Sequence, residues 1–186
     1  MLVAILNDTH FGVRNDQNVF LEVQRDFFEN QFFPYLEEND IKHVLHLGDL
    51  YDRRKYINFK TQEAAEQMFF RPMEEAGITL DIIPGNHDVY YKDTNRVNSI
   101  NILARKFSNV NVFDEAPVVV DYDGVKVGLM PWICRENYHQ SLEFINNTQA
   151  DILAGHFEII GFEFMPGIKN HEGMKSDMFE RFDQVW

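Results

Sequence analysis

The chain has 186 residues, of which 45% are hydrophobic and 25% are charged. This length fits one domain, and the composition excludes disordered, collagen-like and repeat proteins. The net charge of −13 argues against a surface that coats nucleic acid, because binding of phosphates normally requires a basic face. A cluster of carboxylates that binds divalent cations would supply positive charge locally.

Six apolar runs of strand length, each followed by Gly, Asn, Asp or Pro, come in chain order at residues 2–6, 43–47, 79–83, 117–120, 125–130 and 151–154. Apolar residues at helical spacing predict helices over residues 19–37 and 61–76, with Thr61 as the cap and Gly77 as the terminator. This alternation predicts parallel strands, whereas Asp-Tyr-Asp-Gly at residues 121–124 predicts a hairpin. We expect one α/β domain over residues 1–186 with a mixed sheet.

The sequence shows no sign of membrane association. No apolar run approaches the roughly 18–20 residues of a membrane helix, and Asp8 and His10 lie where a signal peptide would still be apolar. We therefore expect a cytoplasmic protein. The single cysteine, Cys134, lies in an apolar segment, so we expect a buried, unreactive thiol.

Polar motifs follow four of the predicted strands. They are Asp-Thr-His at residues 8–10, Gly-Asp at 48–49, Pro-Gly-Asn-His-Asp at 84–88 and Gly-His at 155–156. Ligands of open α/β sheets bind beyond the carboxyl ends of the strands, so we expect these motifs to form one site. In an extended segment, Asp8 and His10 would lie on the same side of the backbone.

These residue types indicate a metal centre. Asp, His and Asn ligands without a thiolate suit Mn²⁺, Mg²⁺, Fe²⁺ or Zn²⁺, and do not suit a closed structural zinc site. Two ions fit better than one, because a carboxylate such as Asp49 can bridge a pair about 3.5–4 Å apart that binds a phosphoryl oxygen and holds a hydroxide. The motifs therefore predict phosphoester hydrolysis.

In this order, the four motifs resemble the signature of the calcineurin-like metallophosphoesterases. Within that superfamily, residues 7–12 (Asn-Asp-Thr-His-Phe-Gly), 48–52 (Gly-Asp-Leu-Tyr-Asp) and 130–132 (Met-Pro-Trp) are similar to the SbcD-type DNA-repair nucleases, a branch with phage-encoded members. The resemblance implies a two-layer, mixed-sheet β-sandwich flanked by helices. It also implies two divalent metal ions, with Mn²⁺ as the usual ion and Mg²⁺ as the alternative.

The resemblance implies a specific ligand set. Asp8, His10 and Asp49 would hold one ion, and Asn86 and His156 would hold the other, with Asp49 bridging the two.

Further roles are implied for residues that are not ligands. His87 would face the scissile phosphate and stabilise the transition state or protonate the leaving oxygen, with Asp88 orienting it. The basic residues Arg53, Arg54 and Lys55 follow the Gly-Asp motif directly, and they are either contacts for DNA phosphates or a solvated charge run.

One family motif is missing. The family closes its site with Gly-His-x-His, and this sequence reaches Trp186 without it. His139 and His171 are poor substitutes, while His43 and His46 belong to a predicted strand and are expected to be structural. We therefore expect a domain without its C-terminal portion, which also lacks the region that binds the SbcC-type ABC ATPase subunit.

The helices after the second and third motifs build a symmetric dimer in SbcD-type proteins. Here Met68, Phe69, Phe70 and Met73 either form such a dimer surface or fill the protein's own core.

Three hypotheses follow. The first is the catalytic domain of a two-metal DNA exonuclease and endonuclease that acts in recombination and double-strand-break repair, in the host cytoplasm if phage-encoded. The second is a calcineurin-like phosphoesterase that acts on phosphoproteins or small nucleotides. The third is a truncated, catalytically silent interaction module.

Overall fold

The structure is a computed structural model that describes the backbone of residues 1–186 and every side chain except those of Phe164 and Met165. The first sheet has the order β1-β2-β3-β4, and all of its strands are parallel. Its strands are β1 (Ala4–Leu6), β2 (His43–His46), β3 (Thr79–Ile82) and β4 (Val110–Val112). The predicted parallel pairing of the first three strands is therefore confirmed.

The second sheet is mixed and has the order β10-β7-β6-β5. Its strands are β5 (Val118–Tyr122), β6 (Val125–Met130), β7 (Ile152–Gly155) and β10 (Gln184–Val185). The turn between β5 and β6 has Asp123 at φ 57° and Gly124 at φ 88°, as a tight two-residue hairpin requires. A separate small hairpin consists of β8 (Glu163–Met165) and β9 (Ile168–Lys169).

Two long helices follow β1 and β2, close to the predicted ranges. Each is a continuous run of three segments whose middle segment is π-helical. The first, α1, comprises Asn18–Phe27, Phe28–Phe32 and Phe33–Glu38, and the second, α2, comprises Phe59–Ala65, Glu66–Phe70 and Arg71–Glu75. The cap of α2 is Asn58, which accepts from Lys60 N, and not Thr61 as predicted. Gly77 follows α2 at φ 64°, as predicted for a terminator.

Shorter helical segments complete the layers: α3 (Ser99–Leu103), α4 (Tyr138–Asn147) and a 3₁₀ turn (Ser176–Phe179). In β2, consecutive residues face opposite ways: Val44 packs with residues of α1, α2 and α3, and Leu45 packs with residues of the second sheet. A third apolar cluster joins Met130 and Leu153 to Ile145 of α4. The molecule is therefore a two-sheet sandwich between helical layers, as predicted.

The apolar side chains of α2 that the sequence left open as a dimer surface belong to the core. They are Met68, Phe69, Phe70 and Met73, and all four are buried, so they form no dimer surface. The thiol of Cys134 is buried, as expected. Among the described residues, no helix is long and apolar enough to cross a membrane.

Candidate metal centre

The carboxyl ends of β1, β2, β3 and β7 meet at one cleft of about 740 Å³. It is lined by every residue that the sequence predicted as a ligand, and by the predicted catalytic histidine: Asp8, His10, Asp49, Asn86, His87 and His156.

The first motif is not extended as predicted. Asp8 and His10 have left-handed backbones, at φ 52° and 46°, and Asp49 has one at φ 53°. These turns are held by hydrogen bonds from Asp8 N to Gly48 O (3.1 Å) and from His10 N to Asp49 O (3.0 Å). Left-handed non-glycine residues cost free energy, and they cluster at ligand clamps where surrounding structure enforces them.

Asp49 is the centre of the cluster and is only 3% exposed. Its Oδ2 lies 3.6 Å from Nε2 of His10 and 3.5 Å from Nε2 of His156. Its Oδ1 accepts from the backbone N of His87 at 2.8 Å, which fixes the carboxylate. Asp49 therefore has the position that a bridging carboxylate requires.

Within the part of the chain that the structure describes, two groups of side chains bring their ligand atoms within 4.8 Å of one another: His10, Asp49 and His87, and Asp8, Asp49 and His156. Asp49 belongs to both. Oδ1 of Asn86 lies 3.0 Å from Nε2 of His156, so Asn86 extends the second group. The first group differs from the set implied by the resemblance, because it includes His87 and not Asp8.

The charges in the cleft fit a divalent cation. His10 Nε2 lies 3.4 Å from Oδ1 of Asp8. This hydrogen bond raises the pKa of His10 and lowers the pKa of Asp8, so the carboxylate form of Asp8 is favoured. Converging carboxylate, imidazole and amide ligands match divalent ions such as Mn²⁺, Fe²⁺ and Zn²⁺, and the oxygen atoms among them also suit Mg²⁺.

Asp52 is a functional candidate that the sequence prediction did not include. Its Oδ1 lies 3.6 Å from Nδ1 of His10, a buried nitrogen that has no hydrogen-bond partner among the residues described. Its backbone oxygen lies 2.6 Å from Nδ1 of His87. The second aspartate of Gly-Asp-Leu-Tyr-Asp was the available signal, since it ends the motif that carries Asp49.

Asp88 does not orient His87, contrary to the prediction. Its fully buried carboxylate accepts from the backbone N of Leu50 (3.3 Å), Tyr51 (3.2 Å) and Gly85 (2.9 Å). Burial raises the pKa of Asp88 to about 6. Asp88 thus ties together the loops after β2 and β3, and His87 is oriented by the Asp52 carbonyl.

His46 is structural, as predicted. It is fully buried, and its Nδ1 accepts from Gly48 N at 3.2 Å. Its Nε2 lies 3.1 Å from Oγ1 of Thr9, which joins the first two motifs. In contrast, Nδ1 of His43 is buried without a hydrogen-bond partner.

The basic run after Asp49 is packed on aromatic rings. Arg53 also forms an ion pair with Asp16 at 2.6 Å, which neutralises its charge locally. The cation-to-centroid distances are 5.0 Å for Arg53 and Tyr56, 5.4 Å for Arg54 and Trp132, and 5.7 Å for Lys55 and Tyr90.

Comparison with known families gives a match over nearly the whole chain. The sequence profile described as calcineurin-like phosphoesterase matches residues 1–183. Exonuclease subunit 1 of Enterobacteria phage T4 is 38% identical over 186 residues, which are 100% of this chain and 54% of the phage protein. The chain therefore spans about half the length of that relative.

Two solved structures are similar at low identity. A protein of unknown function from Aquifex aeolicus has a TM-score of 0.42 at 15% identity, covering 82% of this chain and 76% of that one. An archaeal phosphodiesterase has a TM-score of 0.45 at 17% identity, covering 91% of this chain and 81% of that one.

Proposed function

Because the chain belongs to the calcineurin-like phosphoesterase family, we propose that it is the catalytic domain of a two-metal DNA nuclease. It would hydrolyse phosphodiesters as an exonuclease and endonuclease in recombination and double-strand-break repair. The observation that carries the proposal is the buried carboxylate of Asp49, which is shared by both groups of candidate ligands. The similarity to an exonuclease subunit of a phage supports DNA as the substrate.

In this proposal, Asp8, His10 and Asp49 hold one ion, and Asp49, Asn86 and His156 hold the other. Mn²⁺ is the proposed ion and Mg²⁺ the alternative, because both suit the carboxylate and amide oxygens of this set. When bound, such a pair lowers the pKa of bound water and stabilises the charge of the phosphoryl group.

His87 supplies the proton chemistry of the chain itself. Its Nδ1 lies 2.6 Å from the Asp52 carbonyl oxygen, which can only accept, so Nδ1 carries a hydrogen. Nε2 is then the nitrogen that exchanges protons with substrate. Protonated at Nε2, the ring can donate to the leaving oxygen, and removing such a general acid typically costs about 10²- to 10⁴-fold in rate.

DNA, an SbcC-type ABC ATPase subunit and a second copy of the chain are the proposed partners, and the host cytoplasm is the proposed location. With the core of α2 buried, a dimer surface would have to use exposed residues such as Phe59 of α2, at 92% exposure, and Ile102 of α3, at 68%. Two copies of the chain would then associate through the parts of α2 and α3 that carry Phe59 and Ile102.

The substrate class is tested by assaying linear DNA, p-nitrophenyl phosphate esters and cyclic nucleotides with Mn²⁺. We expect cleavage of DNA, and a fall of about 10²- to 10⁴-fold in kcat for His87→Ala with unchanged metal affinity. A loss of metal affinity in this variant would instead make His87 a ligand, because its ring belongs to the first group of candidate ligands. The exposed His139 provides the control variant His139→Ala, which should retain full activity. Activity confined to monoesters would contradict the nuclease proposal, and metal binding without any hydrolysis would favour a silent interaction module.

A further inference from the structure

A second pocket of about 410 Å³ opens beside the metal cleft. The two share three lining residues, His156, Phe157 and Glu158. This volume lies within the range of about 300–1,000 Å³ that is usual for small-molecule sites. A ligand in the pocket can therefore extend into the candidate metal centre past His156.

The walls of this pocket are mostly apolar, and they are fixed to the core. Phe157 packs against the buried Phe179, with ring centroids 5.0 Å apart. The backbone N of Trp132 donates to Pro84 O at 2.9 Å, which ties this wall to the loop that carries Asn86. The other apolar lining residues are Ile133, Tyr138, Ile160, Met174 and Met178.

Two charged residues also line the pocket. Lys175 supplies a hydrogen-bond donor and Glu158 supplies an acceptor. An apolar, aromatic-walled pocket with a few polar groups, among them this donor and this acceptor, complements a flat heterocycle with a polar edge.

We propose that this pocket binds the unpaired nucleobase of the nucleotide whose phosphate lies at the metal centre. The inference rests on the proposed function and adds to it the form of the substrate. The base stacks on Trp132, while Lys175 and Glu158 face its polar edge. A base inside a duplex cannot enter such a pocket, so the preferred substrate is single-stranded, frayed or mismatched at the cleaved position.

Binding of the base can be tested without metal and without catalysis. The chain has two tryptophans, Trp132 and Trp186, so the variant Trp186→Phe leaves Trp132 as the single reporter. We expect deoxyadenosine to quench its fluorescence saturably, and 2-deoxyribose at the same concentrations to leave it unchanged. Equal responses to the two, or no saturation with deoxyadenosine, would overturn the proposal.

A substitution at the exposed edge of the pocket provides a second test that leaves the aromatic wall unchanged. Ile160 is 40% exposed and lines the pocket, and Val119 of β5 is 43% exposed and lies outside it. In the Trp186→Phe background, Ile160→Asp should weaken the quenching by deoxyadenosine, and Val119→Asp should not. Equal quenching in the two variants would contradict the assignment.

Cleavage then distinguishes this inference from the proposed function. Trp132→Leu should raise KM for a single-stranded oligonucleotide about 5- to 150-fold, the equivalent of one lost base stack, with kcat retained. An abasic residue at the cleaved position should abolish the difference between wild type and variant. If DNA is cleaved and wild type and Trp132→Leu have the same KM, the pocket assignment is wrong and the nuclease proposal stands. If DNA is not cleaved at all, the nuclease proposal is wrong, and the fluorescence titration still tests the pocket.

Discussion

At the scale of single residues, the candidate site depends on two glycines that let the loops after β2 and β3 approach each other. A Cβ on Gly85 would lie 2.2 Å from Oδ1 of Asp49, and a Cβ on Gly48 would lie 2.5 Å from Gly85 N. Neither distance is compatible with a side chain unless the loops move. The glycines of the second and third motifs therefore allow Asp49 to reach its central position.

Gly85→Ala should displace the Asp49 carboxylate and weaken Mn²⁺ binding about 10- to 100-fold, a loss typical of disturbed metal-ligand support. Gly124→Ala is the control, because Gly124 is at φ 88° in the β5–β6 turn with open space around it. This variant should lose some stability and retain metal affinity. Calorimetric titration with Mn²⁺ measures the metal affinity of the two variants. Unchanged affinity in Gly85→Ala would contradict the role of the close contact between Gly85 and Asp49.

The meeting of the predicted site residues in one cleft was predictable from the sequence, but their conformation was not. The four motifs follow strand ends, so their convergence could be read from the sequence. The left-handed turns at Asp8 and His10 depend on the backbone oxygens of Gly48 and Asp49, about 40 residues away in sequence. The orientation of His87 by the Asp52 carbonyl, and not by Asp88, depends in the same way on how the loops after β2 and β3 pack. No local sequence pattern indicates this packing.

At the scale of elements, the apolar patterns located six strands and both long helices, and missed β4, β8, β9 and β10. These missed strands have two or three residues and lie in no longer apolar run. The three-residue β1 was located because it lies in an apolar run over residues 2–6. In α2, apolar residues cover more than one face because the helix has several neighbours: the ring of Phe69 lies 5.2 Å from Phe28 of α1, and Phe70 stacks on Phe107 at 4.9 Å. From the sequence alone, the additional apolar face of such a helix cannot be distinguished from an exposed apolar surface.

The buried His46, which joins β2 to Thr9 of the first motif, should make the folded state less stable at low pH. Burial lowers the pKa of His46 to about 3, well below the ordinary 6.5, so the unfolded chain binds this proton more readily than the folded chain. Its contribution to stability is therefore complete above pH 6.5 and is lost as the pH falls towards 3, by up to about 1.4 kcal/mol per pH unit.

His46→Gln should remove this loss of stability at low pH and leave the opposite effect of Asp88, whose pKa of about 6 in the folded chain stabilises the fold as the pH falls from 6 towards 3.8. It should also lower stability at neutral pH through loss of the Gly48 hydrogen bond. His139→Gln, at an exposed position, should keep the wild-type slope. Denaturant unfolding between pH 4 and 7 in a chelating buffer provides the comparison. Parallel curves for wild type and His46→Gln would show that His46 does not cause the acid sensitivity.

At the scale of the whole molecule, the charge distribution implies that the proposed binding of DNA would need cations. The net charge is −13, and Glu158, Glu163 and Glu172 line the cleft together with Asp8 and Asp49. Without metal, this surface repels phosphates. Divalent cations bound in the cleft would reverse the sign of the field at the proposed position of the scissile phosphate.

Affinity for DNA should therefore rise steeply when divalent cations occupy the cleft. Fluorescence anisotropy with a labelled single-stranded oligonucleotide and the His87→Ala variant would measure binding without cleavage. Mn²⁺ should increase affinity, whereas NaCl at the same ionic strength should decrease it or leave it unchanged. Equal affinity with Mn²⁺ and with a chelator would show that the phosphate is bound elsewhere.

Asp49 is proposed to bridge two metal ions, and a calorimetric titration with Mn²⁺ counts the bound ions. Asp49→Asn preserves an oxygen for the backbone N of His87 and removes the charge, while Asp81→Asn changes another buried aspartate, between Asn111 and Tyr122. We predict two bound ions for wild type and Asp81→Asn, and loss of both for Asp49→Asn. Two ions bound with wild-type affinity by Asp49→Asn would contradict the assignment.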